Sequence, residues 1–121
     1  MKTKLKMASI YFYIGLSFIF MHEMDAIRCK EWRIFPLLSY LDDQKGFIVF
    51  MFAHIPLFSI LLYYLNQPDN EGIVTGMNYF LIIHLGLHLL FLMHPKNEFK
   101  DWISWSIIVG AAIFGAIDLM I

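Results

Sequence analysis

Four histidines, His22, His54, His84 and His88, fall within or at the edge of apolar runs long enough to cross a bilayer. Ionisable groups at that depth are costly, so they face a bundle interior and mark a site. His84 and His88 are four residues apart and share one helix face, a spacing that lets two imidazoles grip one cation. A third ligand from another span would leave an open coordination position, as catalytic zinc sites do. His54 is the third ligand expected from depth, and His22 joins the set. The chemistry expected is that of a divalent metal, zinc first, which lowers the pKa of a bound water. Against this stands the bland reading of HxxxH, two histidines hydrogen-bonding across helices as interhelical glue.

Depth ties these residues together. His54 lies nine positions beyond Lys45, roughly 14 Å below the surface of the first loop. His84 lies ten before His94, about 15 Å below the same surface, and His88 and His22 are each about 9 Å deep. Four imidazoles therefore share one half of the membrane.

His22-Glu23-Met24-Asp25 adds two carboxylates, expected as catalytic groups: Glu23 or Asp25 would take the proton of a metal-bound water. Asp25 has a competing structural role, because Arg28 is three residues on and can pair with it. Glu23 has Ala26 and Ile27 at those positions, so its partner should come from another helix or a bound ion. His94 reads as a surface histidine. Asp118 lies about 26 Å from Asp101 along the fourth span, near the other surface and out of reach of the cluster.

The elements that must position these groups are all helical. Hydrophobic residues make up 60% of the 121-residue chain, above the usual globular share of about 45–50%. Four apolar segments, about 5–27, 47–65, 73–93 and 102–121, are each near the ~20 residues a spanning helix needs. Continuous rather than alternating apolarity excludes barrel strands. The expectation is one all-α domain over 1–121: an integral membrane four-helix up-down-up-down bundle joined by short connectors. Its first helix extends beyond the membrane, to about Phe35 before Pro36. Pro56 removes a backbone donor beside His54 and could loosen that helix.

Lys2, Lys4 and Lys6 before an apolar stretch mimic a signal peptide. Phe18–His22 (FIFMH) offers no small-residue cleavage site, so an uncleaved first span is expected. Arg28, Lys30, Arg33, Lys45, Lys96 and Lys100 favour loops one and three in the cytoplasm, while the basic N-terminal tail opposes this. Trp32, Trp102 and Trp105 fit aromatic anchors at that surface. The net charge of −1 gives no case for nucleic acid, and the lone Cys29 cannot form an internal disulfide. Gly72–Gly76 and Ala111–Gly115 are small-xxx-small pairs that allow helix contact or a homo-oligomer.

The stretch His22-Glu23-Met24-Asp25-Ala26-Ile27-Arg28-Cys29-Lys30-Glu31-Trp32-Arg33 resembles the HExDAxRxxEWR signature of a family of small, uncharacterised bacterial membrane proteins. It is also similar to HXXEE-motif membrane proteins, although Ala26 stands where a second Glu would be. The resemblance covers about a tenth of the chain. It implies a four-helix topology and a bacterial inner membrane location, and no reaction. More loosely, His54, His84 and His88 resemble the three zinc-holding histidines of alkaline ceramidase and adiponectin-receptor hydrolases, which have seven helices.

Three functions compete. The first is a metal-dependent membrane hydrolase acting on a lipid-like substrate, with zinc on His54, His84 and His88. The second is a b-type haem carrier with axial ligands such as His54 and His88. The third is a non-enzymatic membrane partner or receptor whose histidines bond only to protein groups.

Overall fold

The computed structural model describes residues 8–121. Lys2, Lys4, Lys6 and the expected start of the first span at Leu5 lie outside the described residues. Four long helices follow: α1 (Ile10–Arg28), α2 (Asp43–Leu65), α3 (Glu71–Phe91) and α4 (Trp102–Met120). Each is long and apolar enough to cross a membrane, and no strand occurs among the described residues. The chain is an all-α four-helix bundle with the character of an integral membrane protein.

Short polar side chains start three of the helices. Ser9 accepts from the Tyr11 N–H, Asp42 from Lys45 and Asp101 from Ser104, so each first turn has a donor satisfied. Contacts at the helix ends fix the directions. Ser9, before α1, donates its hydroxyl to Asp118 near the end of α4, while Arg28 at the other end of α1 reaches Asp101 before α4. Asn78, early in α3, donates to Asp118 at 2.6 Å. Phe58 of α2 meets Phe20 of α1 with ring centroids 5.0 Å apart, and His54 meets Glu23. Neighbouring helices in sequence therefore run antiparallel, up-down-up-down.

The packing is uneven. Helices α1, α3 and α4 form the core, and small residues let them approach. A Cβ added at Gly115 would lie 3.0 Å from the Asn78 carbonyl oxygen. The Ala111–Gly115 pair is thus buried within the chain's own bundle, whereas a Cβ at Gly72 or Gly76 meets nothing within 4 Å. Helix α2 buries only Gly46, Phe50 and Leu61. It docks chiefly through the first loop, where Trp32 lies against Gly46, Phe47 and Phe50.

The continuation of the first helix to Phe35 takes a different form from the one expected. Helix α1 stops at Arg28, and Lys30 adopts the left-handed conformation at φ 52°. Two 3₁₀ turns follow, Glu31–Arg33 and Leu38–Tyr40. The left-handed residue reverses the chain, so Glu31 and Trp32 fold under the bundle instead of projecting from it. Arg33 then ties the turn to Asp43 and Glu98. Trp32 is therefore a buried wedge whose Nε1–H donates to Asp43 at 3.1 Å, not an interfacial anchor. Trp102, 78% exposed, does stand at the surface.

Candidate metal centre

Three imidazoles and one carboxylate converge at the loop-one end of the core. His22 comes from α1, His84 and His88 from consecutive turns of α3, and Glu31 from the reversed turn after Lys30. All four are buried, and one ligand atom from each lies within 4.8 Å of every other. The Nε2 atoms of His22 and His84 are 3.1 Å apart, and Glu31 oxygens lie 3.7 Å from Nε2 of His22 and of His88. Zinc bonds of about 2.0–2.1 Å in a tetrahedron place ligand atoms roughly 3.3–3.4 Å from one another. The His22–His84 spacing lies close to that value, while the Glu31 spacings and the 4.8 Å outer limit of the set are wider.

Hydrogen bonding leaves these rings incomplete. His22 and His84 share one bond, while Nδ1 of all three histidines and Nε2 of His88 have no hydrogen-bond partner among the described residues. Each such buried group costs about 1–3 kcal/mol if nothing satisfies it. A structural histidine network would be built to avoid that cost. Phe99 closes the group from the third loop, its ring centroid 4.6 Å from His88 and 5.3 Å from His22. Asn97 holds Phe99 there by accepting its backbone N–H at 3.2 Å.

The other expected site residues sit apart from this group. His54 is not among the four converging side chains. Its Nδ1 lies 2.6 Å from the Phe50 carbonyl oxygen, which can only accept, so Nδ1 carries a proton. Its Nε2 faces a Glu23 oxygen at 2.5 Å. Depth sets His54 level with Glu23 but says nothing of its place around the bundle, and α2 stands outside the α1–α3–α4 core. The partner that Glu23 required from another helix is therefore His54. Both oxygens of Asp25 are taken, one by Arg28 Nε at 2.7 Å and the other by the Ser104 hydroxyl at 2.5 Å. Arg28 continues to Asp101, which with the Ser104 N–H holds the Asp101 carboxyl down at about 2. Asp118 is buried at the opposite end with Ser9 and Asn78. His94 is half-buried, its Nδ1 accepting from the Lys96 N–H.

A cavity of about 620 Å³ adjoins the group, lined by Glu23, Glu31, His54, His84 and His88 together with apolar side chains of the first loop, α2 and α3. It lies where α2 and α3, joined at their other ends by a short connector, stand apart.

Sequence reasoning missed Glu31 and Phe99. On a continuous helix Glu31 would sit roughly 14 Å beyond His22, which hides it from any depth argument. Its place in the signature stretch was the available signal, and only the turn at Lys30 gives it meaning.

Four apolar helices and a buried histidine–glutamate group define an integral membrane protein with a polar centre near one end of its bundle. A sequence profile described as a family of unknown function (DUF6713) matches residues 8–121, and the chain belongs to that family. No curated protein and no solved structure matches it.

Proposed function

We propose that the chain is a membrane metalloenzyme that holds one divalent ion, zinc by ligand type, on His22, His84 and His88. Three imidazoles from two helices leave one tetrahedral position, the arrangement of hydrolytic zinc sites. Glu31, with oxygens 3.7 Å from Nε2 of His22 and of His88, would be within reach of a water held there and suited to accept its proton. The observation that carries the reading is the convergence of His22, His84, His88 and Glu31, one ligand atom from each within 4.8 Å of every other, with the buried Nε2 of His88 unpartnered beside Glu31. A neutral imidazole offers a lone pair for a cation, and a buried carboxylate between two imidazoles lowers the cost of placing that charge in the membrane.

Hydrolysis fits this set. The oxygen of one water bonds to an ester or amide carbonyl carbon, the acyl–oxygen or acyl–nitrogen bond breaks, and the leaving group receives a proton. Glu31 takes the water's proton and returns it. The Glu23–His54 pair, holding a proton between two side chains of the same cavity, supplies a second polar contact for the substrate. Elemental analysis of purified protein tests the reading: about one zinc per chain is expected in the wild type and none in H84A or H88A. A folded wild-type protein that takes up no divalent metal overturns it.

A further inference from the structure

We infer that the cavity beside the centre holds the hydrocarbon chain of a single-chain amphiphile, admitted sideways from the bilayer between α2 and α3. The inference rests on the hydrolytic reading only for what happens at the head of that chain.

The cavity is apolar at both ends and polar between them. Pro36, Leu37 and Leu38 of the first loop line one end, near the membrane surface. Glu31, His84 and His88 follow on the bundle side, and Leu57 and Phe80 line the far end at greater depth. A molecule with a polar linkage near its head and an apolar tail matches that order. Its linkage would lie beside the imidazoles and its tail against Leu57 and Phe80.

Location names the occupant's source. Leu57, Phe80 and Leu87 line the cavity and are also exposed on spanning helices, so the medium that meets the opening is acyl chain. At the Leu57 and Phe80 end water would gain few partners, since a bridging water needs two or more polar groups, and those of this cavity gather around Glu31, His84 and His88 and around Glu23 and His54. Volume sets the number of chains. A cavity of about 620 Å³ has room for one chain with its linkage. This size falls within the range of small-molecule pockets, about 300–1,000 Å³.

The test uses the full chain in phosphatidylcholine vesicles containing a lysophosphatidylcholine with a photoreactive diazirine near the end of its chain. Cross-linked peptides are mapped by mass spectrometry, and zinc content is measured on the same samples. The expected result is labelling at Leu57, Phe80 or Leu87, reduced at least 10-fold in A53W or L87W, which fill the cavity, with zinc unchanged. H88A should lose zinc and keep the label. A diacyl probe carrying the same diazirine should label these positions at least 10-fold less. Labelling confined to outward residues such as Ile55 or Ile60, labelling unaffected by either tryptophan, or equal labelling by the diacyl probe overturns the inference. Loss of zinc uptake in the wild type with the label intact would instead strike the metal reading alone.

Discussion

Nε2 of His22 and Nε2 of His84 lie 3.1 Å apart across 62 residues of sequence, brought together because α1 and α3 both pack against α4. Two imidazole nitrogens can share only one proton, and neither ring has a partner for its other nitrogen among the described residues. A common cation satisfies both Nε2 atoms at once. Removing either ring should therefore weaken zinc binding by more than the 10–100-fold typical of losing an outer hydrogen-bond partner. Competition against a zinc-chelating dye checks this for H22A and H84A, with H54A as the comparison. H54A should bind zinc within about 10-fold of wild type, since His54 belongs to the Glu23 pair and not to the four converging groups.

Glu31 contributes charge as well as an oxygen. Glu31→Gln keeps the shape and removes the charge, so zinc affinity should fall about 10–100-fold while the melting temperature of the metal-free protein stays the same or rises. The rise is expected because an uncompensated buried carboxylate is unfavourable without its cation. Dye competition and thermal melts with and without chelator read both effects.

Lys30 is the hinge that delivers Glu31. Its φ of 52° is a conformation that costs a non-glycine residue roughly 1–2 kcal/mol and costs glycine almost nothing. Lys30→Gly should therefore leave stability equal or raise it by up to about 1 kcal/mol, and zinc binding should persist. Lys30→Val, with a β-branched side chain, should lower both. Thermal unfolding in detergent, paired with zinc content, gives the comparison.

Gly46 seats the same turn from the side of α2. A Cβ there would lie 2.5 Å from Cδ1 of Trp32, so Gly46→Ala must displace the indole. Overpacking of this kind costs about 1–3 kcal/mol. The displaced Trp32 carries Glu31 with it, so zinc affinity should fall together with stability. Trp32→Phe in the G46A background, which offers a smaller ring, should restore part of both.

Asp101 sets the acid limit of the bundle end. Its carboxyl is held at about 2 by Arg28 and the Ser104 N–H, against about 3.9 in an unfolded chain. A lowered carboxyl contributes stability that is fully present above the unfolded value and is lost as pH falls through the folded one. Melting temperature should therefore drop between about pH 4 and pH 2, and Asp101→Asn should flatten that limb while lowering the plateau at neutral pH.

Much of the fold was legible because hydrocarbon permits so few structures. The apolar runs and their connectors give the helix number, and the matched depths of His22, His84 and His88 point to one membrane half. Azimuth was not legible. Which helix faces which depends on close approaches such as Gly115 on Asn78, and these leave α2 at the margin with His54. The reversal at Lys30 was hidden for a different reason. A left-handed lysine has no sequence mark, since that conformation is uncommon outside Gly, Asn and Asp. Glu31 and the covering Phe99 both depend on loop geometry, and loops are where residue pattern carries least information about position.

X-ray absorption at the zinc edge of the metal-loaded protein tests the central claim most directly. The account predicts three nitrogen scatterers at about 2.0–2.1 Å with imidazole outer-shell features, and oxygen in the remaining position. The H88A spectrum should lack one imidazole contribution. A wild-type spectrum with sulfur from Cys29, or with no imidazole signature, would contradict it.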